Sequence, residues 1–477
     1  MTTTLPDNSN SNRATALDAV RGFAILTMVL SGTIRYKILP SWMYHAQLTS
    51  PEPGLTWVDL VFPLFLFALG AAIPLAMSRR LEKKDSPLSI VLYILKRGFL
   101  LTAFALFLQH LRPHIIHPSD ADMEKWWLAL KGFVLIFLMF VRLPNFIKNK
   151  RYQSDLNLII NLGAWIAAIL LISQIQYPNG QGFSFERNDI ILILLANSAV
   201  FGSLVWWLTR SNLWWRLGFL SVLFGMRLSV TNSESWIGIL WHKSFAPWLF
   251  QLDYLKYLFI VIPATIAGDA IITWLQAPAV ENKIENPREK WQFLGIILLM
   301  LALCLTLLVG LQSRMVLKTT VASIILCGLG WRLFVNPASP TANLLKHYYQ
   351  WGVYWLALGL ALEPFQGGIK KDPTTVSYCF ITVSISFFIL IAFTVAIDIF
   401  KQQKWLQLLI ENGQNPMIAY VGFANLIWPI LNLTGWEAWI IENTATPWLG
   451  FLKGVISTLV IALIVSLFTK LKIFWKT

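Results

Sequence analysis

Charged residues are scarce in this chain of 477 residues: Asp, Glu, Lys and Arg together make up only 13% of it. A soluble domain of average composition carries about 25% charged residues. Hydrophobic residues account for 56% of the chain, and many apolar runs reach the length of about 20 residues that crosses a bilayer. The composition therefore excludes an ordinary soluble enzyme. It predicts an all-α, polytopic helical membrane protein with about 11–14 transmembrane helices.

Cysteines and long polar insertions are also scarce. The three cysteines, Cys304, Cys327 and Cys379, all lie within apolar runs, so they are interpreted as small apolar residues rather than as a disulfide or metal framework. No long polar segment interrupts the runs. We therefore expect a polar N-terminal tail over 1–12 and a single membrane domain over 13–477.

Lys and Arg are unevenly distributed along the chain. The net charge of +14 arises mainly in the loops after the second, fourth, eighth and twelfth apolar runs and after the last. Cytoplasmic loops carry such an excess, whereas a nucleic-acid-binding surface would need a basic stripe on a soluble domain. We expect no nucleic-acid partner, both termini in the cytoplasm, and the loops around His45, 110–125 and 363–375 on the other side. The fourteen runs fall near 17–33, 55–77, 89–109, 126–141, 157–174, 189–208, 213–230, 254–275, 292–311, 315–335, 344–362, 376–399, 414–432 and 448–469.

His45 and Asp59 are the first candidates for chemistry. His45 lies in a short polar loop, and Asp59 follows at the start of the second apolar run. A histidine can exchange a proton near neutral pH, and a carboxylate can orient its imidazole ring. Pro63 can bend the helix and open backbone carbonyls to a cavity. The alternative is that His45 is an ordinary loop histidine.

Polar residues at the ends of other runs are candidates for a polar cavity. Asp18 and Arg21 are three residues apart and share a helix face, so the pair either lines a cavity or only fixes topology. Gln414 and Asn415 precede a proline within an apolar stretch. Polar groups there must be satisfied by protein, water or ligand, so these two side chains either line a cavity or cap a helix.

Two loops also carry suggestive residues. In HLRPHIIHPSDAD, residues 110–122, the histidines His110, His114 and His117 and two aspartates have loosely metal-like spacing. Pro113 and Pro118 break any regular helix that would align them, so substrate contact or plain surface is favoured over a metal. In the second loop a Gly367-Gly368 turn precedes Lys370 and Lys371, and this turn either holds an anion or is an ordinary loop.

These motifs, in this order, resemble the transmembrane acetyltransferases typified by heparan-α-glucosaminide N-acetyltransferase and its bacterial relatives. The resemblance runs from residue 13 to residue 422. Two positions depart from the family pattern: Ser31-Gly32 replaces an Asn near the end of the first span, and Phe423 replaces a His. Heparan is therefore not implied as the acceptor. The matching residues are Leu17-Asp18-x-x-Arg21-Gly22, His45, Asp59-Leu60-Val61-Phe62-Pro63, Gly367 through Lys371 followed by Ser377-Tyr378, and Gly413-x-Asn415 followed by Tyr420-Val421-Gly422.

The resemblance implies an enzyme that moves an acetyl group from cytosolic acetyl-CoA, its co-substrate, to a sugar or glycan acceptor across the membrane. His45 occupies the place of the family's active-site histidine and would act as general base or acyl carrier, with Asp59 as its partner. Arg97 would receive the donor's phosphates. Asp18, Arg21, Lys371, Gln414 and Asn415 are the predicted substrate-binding residues.

Further expectations concern the cellular setting and the rival functions. We expect no metal, contact with membrane lipid, and a location in the bacterial inner membrane, with a homodimer left open. The rival hypothesis is a transporter or flippase for a sugar or lipid-linked sugar, without covalent chemistry. A structural or assembly role in the membrane is a third, and it would leave His45 replaceable.

Overall fold

The computed structural model describes residues 14–34, 38–49, 54–119, 122–142, 150–230, 234–278, 287–335, 337 and 339–475. The predicted tail over 1–12 lies outside these ranges. Within them the chain is almost entirely helical, with short 3-10 helices over Ser41–Met43 and Leu252–Tyr257 and π-helical turns over Val395–Ile399 and Phe423–Ile427. Two short strands, β1 (Val141–Arg142) and β2 (Phe474–Trp475), pair antiparallel. The α-helices are α1 (Thr15–Thr33), α2 (Ala46–Thr49), α3 (Trp57–Glu82), α4 (Pro87–His110), α5 (Pro113–Ile116), α6 (Met123–Phe140), α7 (Lys150–Gln174), α8 (Ile190–Thr209), α9 (Leu213–Ser229), α10 (Trp236–His242), α11 (Leu258–Gln276), α12 (Pro287–Gln312), α13 (Val316–Leu333), α14 (Pro340–Ala361), α15 (Val376–Thr394), α16 (Gln403–Gln414), α17 (Pro416–Gly422), α18 (Trp428–Leu433), α19 (Trp436–Asn443) and α20 (Pro447–Lys470).

Eleven helical segments in the described ranges are long and apolar enough to cross a membrane. In hydrocarbon every backbone N–H and C=O must be satisfied within the protein, and a helix does this within one segment. The chain is therefore an integral membrane protein, and the predicted all-α polytopic fold is confirmed. Three predicted runs fall in α6, α9 and α14, which are shorter or more polar than the eleven; α9, for example, has 17 residues.

The loops gather at two ends of the helix bundle. At one end, which we call the His45 end, the Gly54 amide donates to the Ile369 carbonyl over 2.8 Å, so the His45 loop and the 363–375 loop are in direct contact. At the other end, which we call the basic end, β1 and β2 pair. Helices α3 and α6 also end there, where Arg80 and Arg142 line one cavity.

Glycines allow α1 and α16 to approach closely at the basic end. A Cβ atom on Gly22 would lie 1.8 Å from the Leu409 carbonyl oxygen, and one on Gly413 would lie 1.8 Å from the Asp18 carbonyl oxygen. No side chain fits at either position, so backbone packs directly on backbone. Two motifs of the sequence, Arg21-Gly22 and Gly413-x-Asn415, therefore meet in space.

Helix α3 lies at the centre of the bundle. Its first three turns are nearly all buried, and it packs against α1, α8, α11 and α15. The contact with α11 also depends on glycine, since a Cβ atom on Gly70 would lie 2.5 Å from the Val261 carbonyl oxygen. Helix α3 starts at the His45 end and finishes at the basic end, so it joins the two regions where the candidate residues lie.

Candidate functional site

Asp59 is fixed by the way α3 begins. Thr56 is the N-cap residue and Asp59 is the third residue of the helix, the arrangement of a capping box. Asp59 Oδ2 accepts hydrogen bonds from the backbone amides of Ala46, at 3.0 Å, and Thr56, at 3.1 Å. Only 1% of the Asp59 residue is exposed. The carboxylate is thus held in one orientation with Oδ1 left for a further partner.

That partner is His45. Its Nδ1 lies 2.7 Å from Asp59 Oδ1. A carboxylate accepts from a ring N–H, so the contact favours the tautomer with the proton on Nδ1 and the lone pair on Nε2. The side chain of His45 is 38% exposed, whereas its carboxylate partner is buried. The pair has the form of an oriented base, in which the carboxylate sets the ring and Nε2 remains the reactive atom.

Pro63 explains a second contact at the same site. Proline has no backbone N–H, so Pro63 leaves the carbonyl of Asp59, four residues earlier, without its usual helical donor. Tyr378 on α15 supplies the missing bond: its hydroxyl donates to the Asp59 carbonyl oxygen over 2.6 Å. Pro63 was predicted to open a backbone carbonyl to a cavity, and the structure instead uses this carbonyl to attach α15 to the site.

Lys371, in the loop before α15, is the third residue of a cluster with His45 and Asp59. Its Nζ lies 3.0 Å from Nδ1 and 3.2 Å from Nε2 of His45. The loop is held in place by the Asp372 amide, which donates to Gln47 Oε1 over 3.0 Å. Burial lowers the pKa of the Lys371 ammonium from its usual value, while the carboxylates of Asp59 and Asp372 act to raise it.

The cluster of His45, Asp59 and Lys371 contains one carboxylate and one ammonium group. The Asp59 carboxylate and the Lys371 ammonium both contact the imidazole, and their opposite charges balance each other. A neutral His45 can accept a proton or attack an electrophile. The neighbouring ammonium can stabilise negative charge that develops on a nearby oxygen. This arrangement suits acyl transfer.

A large cavity opens at the basic end. Its volume is about 1040 Å³, at the upper end of the range for small-molecule sites, about 300–1,000 Å³. Arg97 lines it, and so do four other basic residues. The guanidinium of Arg80 lies 3.7 Å from the centre of the Tyr93 ring, and that of Arg97 lies 6.0 Å from it. The basic residues that line the cavity are Arg21, Arg80, Lys96, Arg97 and Arg142.

One face of α3 leads from this cavity towards Asp59. Phe65 is the first α3 residue that lines the cavity, and Arg80 is the last. Phe65 also borders a void of about 10 Å³, together with Phe62. Asp59 lies one turn before Phe62, and a rise of 1.5 Å per residue places Asp59 only about 9 Å along the axis from Phe65. Side chains such as Phe62, which packs edge-on against Tyr257 with ring centres 5.4 Å apart, fill the remaining distance.

The other predicted substrate-binding residues lie at the basic end. Arg21 Nη1 lies 3.3 Å from Asp18 Oδ1 and donates to the Gly413 carbonyl over 3.1 Å. Arg21 also lines the basic cavity, so its side chain both fixes a helix contact and borders a polar space. At about 1.5 Å per residue, α1 separates Asp18 from the His45 end by about 22 Å.

Asn415 and Gln414 are not near His45. The Asn415 side chain donates to the Ile473 carbonyl over 2.8 Å and accepts from the Trp475 amide over 3.1 Å. It therefore holds the C-terminal segment, and its side chain does not cap α17. Gln414 is half-buried at the end of α16. Pro416, two residues after Gln414, lines the basic cavity, so this motif shapes the cavity wall.

His110 and His117, both in the 110–122 segment, have separate partners. His110 Nδ1 lies 2.5 Å from the Tyr177 hydroxyl, and its Nε2 lies 3.0 Å from the Ser184 carbonyl oxygen. His117 Nδ1 lies 3.6 Å from Asp122 Oδ2. Asp120 is outside the described residues. Among those that are described, no three His, Cys, Asp or Glu side chains are placed to hold a metal ion.

Sequence reasoning assigned no role to Thr56 or Tyr378. The pattern Thr56-x-x-Asp59 is visible in the sequence as a capping box, which would have predicted that the carboxylate is fixed to the helix start. Tyr378 carries no local signal, because its partner carbonyl is 319 residues away. Pro63 alone indicated that this carbonyl needs a donor from elsewhere in the fold.

Comparison with known proteins gives two findings. A segment of 93 residues is 37% identical to the mouse (Mus musculus) protein heparan-alpha-glucosaminide N-acetyltransferase, over 20% of this chain and 13% of the mouse protein. The matched segment is thus a small part of that protein. The profile of a family described as domain of unknown function DUF5009 matches residues 13–271, more than half of the chain and including His45 and Asp59. The chain therefore belongs to the DUF5009 family.

Proposed function

We propose that this protein is a membrane-embedded acyltransferase that moves an acetyl group from acetyl-CoA to a sugar or glycan acceptor on the opposite side of the membrane. The observation that carries the proposal is the position of α3. One end of this helix holds the His45–Asp59 pair, 2.7 Å apart, and its other end lines the basic cavity. The similarity to a membrane N-acetyltransferase over 93 residues supports the same reaction class.

The basic cavity fits the nucleotide part of the donor. Coenzyme A carries several phosphate charges, and arginines bind phosphate through paired, charge-assisted hydrogen bonds. Arg97 and Arg142 line the cavity beside Tyr93, whose ring offers a surface for the adenine base. The flexible arm that ends in the thioester would follow the α3 face towards Asp59. Phe62 would have to move aside for it to reach His45.

His45 can take part in acetyl transfer either as a general base or as a carrier of the acetyl group. As a base, Nε2 takes the proton from the acceptor amine or hydroxyl while that atom attacks the thioester carbonyl. The C–S bond then breaks, and the proton passes to the departing thiolate. As a carrier, Nε2 itself attacks the carbonyl, releases the thiol, and passes the acetyl group to the acceptor in a second step. In both routes the Lys371 ammonium lies where it can stabilise the oxyanion.

The proposed orientation follows the loop charges. Lys and Arg gather in the loops that follow α3, α6 and α11, which supports a cytoplasmic position for the basic end, where acetyl-CoA is available. The His45 end then faces the other side, and the membrane is the inner membrane of a bacterium. The name of the mouse relative supports a sugar amine as the type of acceptor.

An acetyl-transfer assay in liposomes, with a labelled donor, tests the proposal. The full chain is reconstituted in liposomes, and acetyl-CoA with a labelled acetyl group is offered on one side with glucosamine on the other. Labelled N-acetylglucosamine should form. His45→Ala should lower its rate by at least about 100-fold, because general-base catalysis contributes about 10²–10⁴-fold. His117→Ala, which removes another half-exposed histidine, is the matched control and should retain activity.

The same liposomes distinguish an acyltransferase from the rival function, a transporter. Movement of labelled glucosamine across the bilayer without acetylation, unaffected by His45→Ala, would reject the acyltransferase proposal and favour a transporter. Labelled acetyl bound covalently to the protein in the absence of acceptor, and absent in His45→Ala, would identify His45 as carrier. Its absence alongside active transfer would identify His45 as base.

A further inference from the structure

A second large cavity lies at the basic end, apart from the proposed donor cavity. It has a volume of about 800 Å³ and lies between α9, α11 and the start of α14. None of its lining residues lines the donor cavity. Its charged and titratable residues are Arg210, Arg216, Asp269, Lys346 and His347.

The cavity carries an excess of positive charge. Arg216 is only 2% exposed, and its Nη1 lies 2.5 Å from Asp269 Oδ2 and 3.1 Å from Thr265 Oγ1. Asp269 also accepts from the Trp206 ring N–H over 2.9 Å. Arg216 therefore neutralises Asp269, the one carboxylate among the described residues that line the cavity. Burial holds the Arg216 side chain in place.

Arg210 and Lys346 supply the remaining positive charge. They lie on separate elements, just after α8 and within α14, and both line the cavity. Helices α9 and α14 both begin at this cavity, with Leu213 and Pro340 in its wall, so the positive ends of two helix dipoles face it. Helix α11 ends at the cavity, so the negative end of its dipole faces it. Because two positive helix ends and the side chains of Arg210 and Lys346 outweigh this one negative end, the cavity favours an anion.

The other walls are apolar and reach the lipid-facing surface. Leu213, Ile266 and Leu344 line the cavity. Next to it, Trp214 is 80% exposed and Trp215 is 73% exposed. Exposed tryptophans are typical of the membrane–water interface. A small soluble anion would leave these apolar walls without a partner, whereas a lipid would cover them with its acyl chains.

We propose that this cavity binds an anionic phospholipid. Its phosphate group contacts Arg210 and Lys346, and its acyl chains pack along Leu213 and Leu344. Basic pockets between transmembrane helices on the cytoplasmic side are suited to such head groups. The proposal is independent of the acyltransferase reaction, since the cavity shares no residue with the donor cavity or with the His45–Asp59–Lys371 cluster.

Native mass spectrometry of the full chain tests the proposal. The detergent-purified protein is titrated with phosphatidylglycerol, with phosphatidylcholine and with inorganic phosphate, and thermal unfolding is followed in parallel. Phosphatidylglycerol should bind and raise the unfolding temperature, and the other two should not. The double variant Arg210→Gln/Lys346→Gln should weaken phosphatidylglycerol binding by about 10- to 30-fold, because each basic residue near the headgroup contributes about 1 kcal/mol.

The matched control is Lys290→Gln/Lys404→Gln. It removes two exposed positive charges from the same end, away from the cavity, and should bind phosphatidylglycerol like the parent. Equal binding of the two phospholipids, equal weakening in both double variants, or an equal effect of inorganic phosphate would overturn the lipid site. If the double variant does not fold, the single variant Lys346→Glu is used, which should also lose preference for the anionic lipid.

Discussion

The ammonium nitrogen of Lys371 lies within 3.2 Å of both ring nitrogens of His45, a residue 326 positions earlier in the chain. These nearly equal distances place the ammonium beside the Nδ1–Cε1–Nε2 side of the ring, close to the atom that would act as base. An acceptor that approaches Nε2 would therefore pass next to Lys371, and the ammonium would have to move aside for it. A displaced ammonium would remain close enough to stabilise a developing oxyanion.

Lys371 should shape the pH dependence of transfer. Lys371→Met removes the ammonium that can stabilise the oxyanion, so it should lower the transfer rate and shift the alkaline limb out of the pH–rate profile. Burial lowers the pKa of Lys371, so the parent should lose activity as pH rises through a value below the ordinary one for lysine. Lys371→Arg, which stays charged, should move that alkaline limb to higher pH. Transfer rates measured across pH check both shifts; identical profiles for the three proteins would remove Lys371 from the mechanism.

Asp59→Asn should inactivate the protein without unfolding it. The asparagine oxygen can still accept from the amides of Ala46 and Thr56, but its NH₂ group then faces His45 Nδ1 and selects the tautomer with a protonated Nε2. The transfer rate should fall by about 10³-fold or more, as expected for a misoriented base. Asp155→Asn, at an exposed position on α7, is the control. A variant that transfers at the parent rate would show that the carboxylate does not orient the histidine.

Arg97 should affect donor affinity and leave the chemistry unchanged. Arg97→Gln removes one positive charge from the basic cavity. Because a hydrogen bond to a charged group contributes about 1.5–3 kcal/mol, KM for acetyl-CoA should rise by about 10- to 100-fold with kcat little changed. Lys131→Gln, exposed on α6 and outside the cavity, should behave as the parent. Steady-state kinetics separate the two constants, and a loss confined to kcat would contradict a donor-binding role.

Gly413→Ala should destabilise the bundle at the contact between α1 and α16. The added methyl group would meet the Asp18 carbonyl at 1.8 Å, and overpacking of this kind costs about 1–3 kcal/mol or more. Gly32→Ala lies on α1 with nothing within 4 Å of the added atom, so it should be neutral or slightly stabilising. Thermal unfolding in detergent compares the two variants. Equal unfolding temperatures would mean that the backbones of α1 and α16 are not in direct contact at Gly413.

Cysteine labelling decides which end faces the cytoplasm. In a background that lacks the natural cysteines, Ser41→Cys and Pro364→Cys, both exposed at the His45 end, should react with a membrane-impermeant reagent in intact cells. Lys83→Cys, exposed at the basic end, should react only after the membrane is opened. Labelling of Lys83→Cys alone in intact cells would reverse the proposed orientation and place the donor cavity outside the cytoplasm.

The sequence by itself determined the membrane class and the helical fold. Apolar runs of transmembrane length leave the backbone no partner in lipid except its own helix, so the all-α fold follows from composition and run length alone. The position of Asp59 at a helix start was also readable, because capping depends on residues three positions apart.

Only the tertiary structure decided which polar groups meet. Lys371 and Tyr378 reach the site from more than 300 residues away in the chain, and nothing local in their sequence specifies that contact. The same holds for Arg21-Gly22 and Gly413-x-Asn415, whose meeting depends on how closely two helices approach. Asn415 was predicted to bind substrate, yet its amide holds the C-terminal segment. A polar residue in an apolar run must find a partner, but whether that partner is a ligand or the chain's own backbone is set by packing between distant segments.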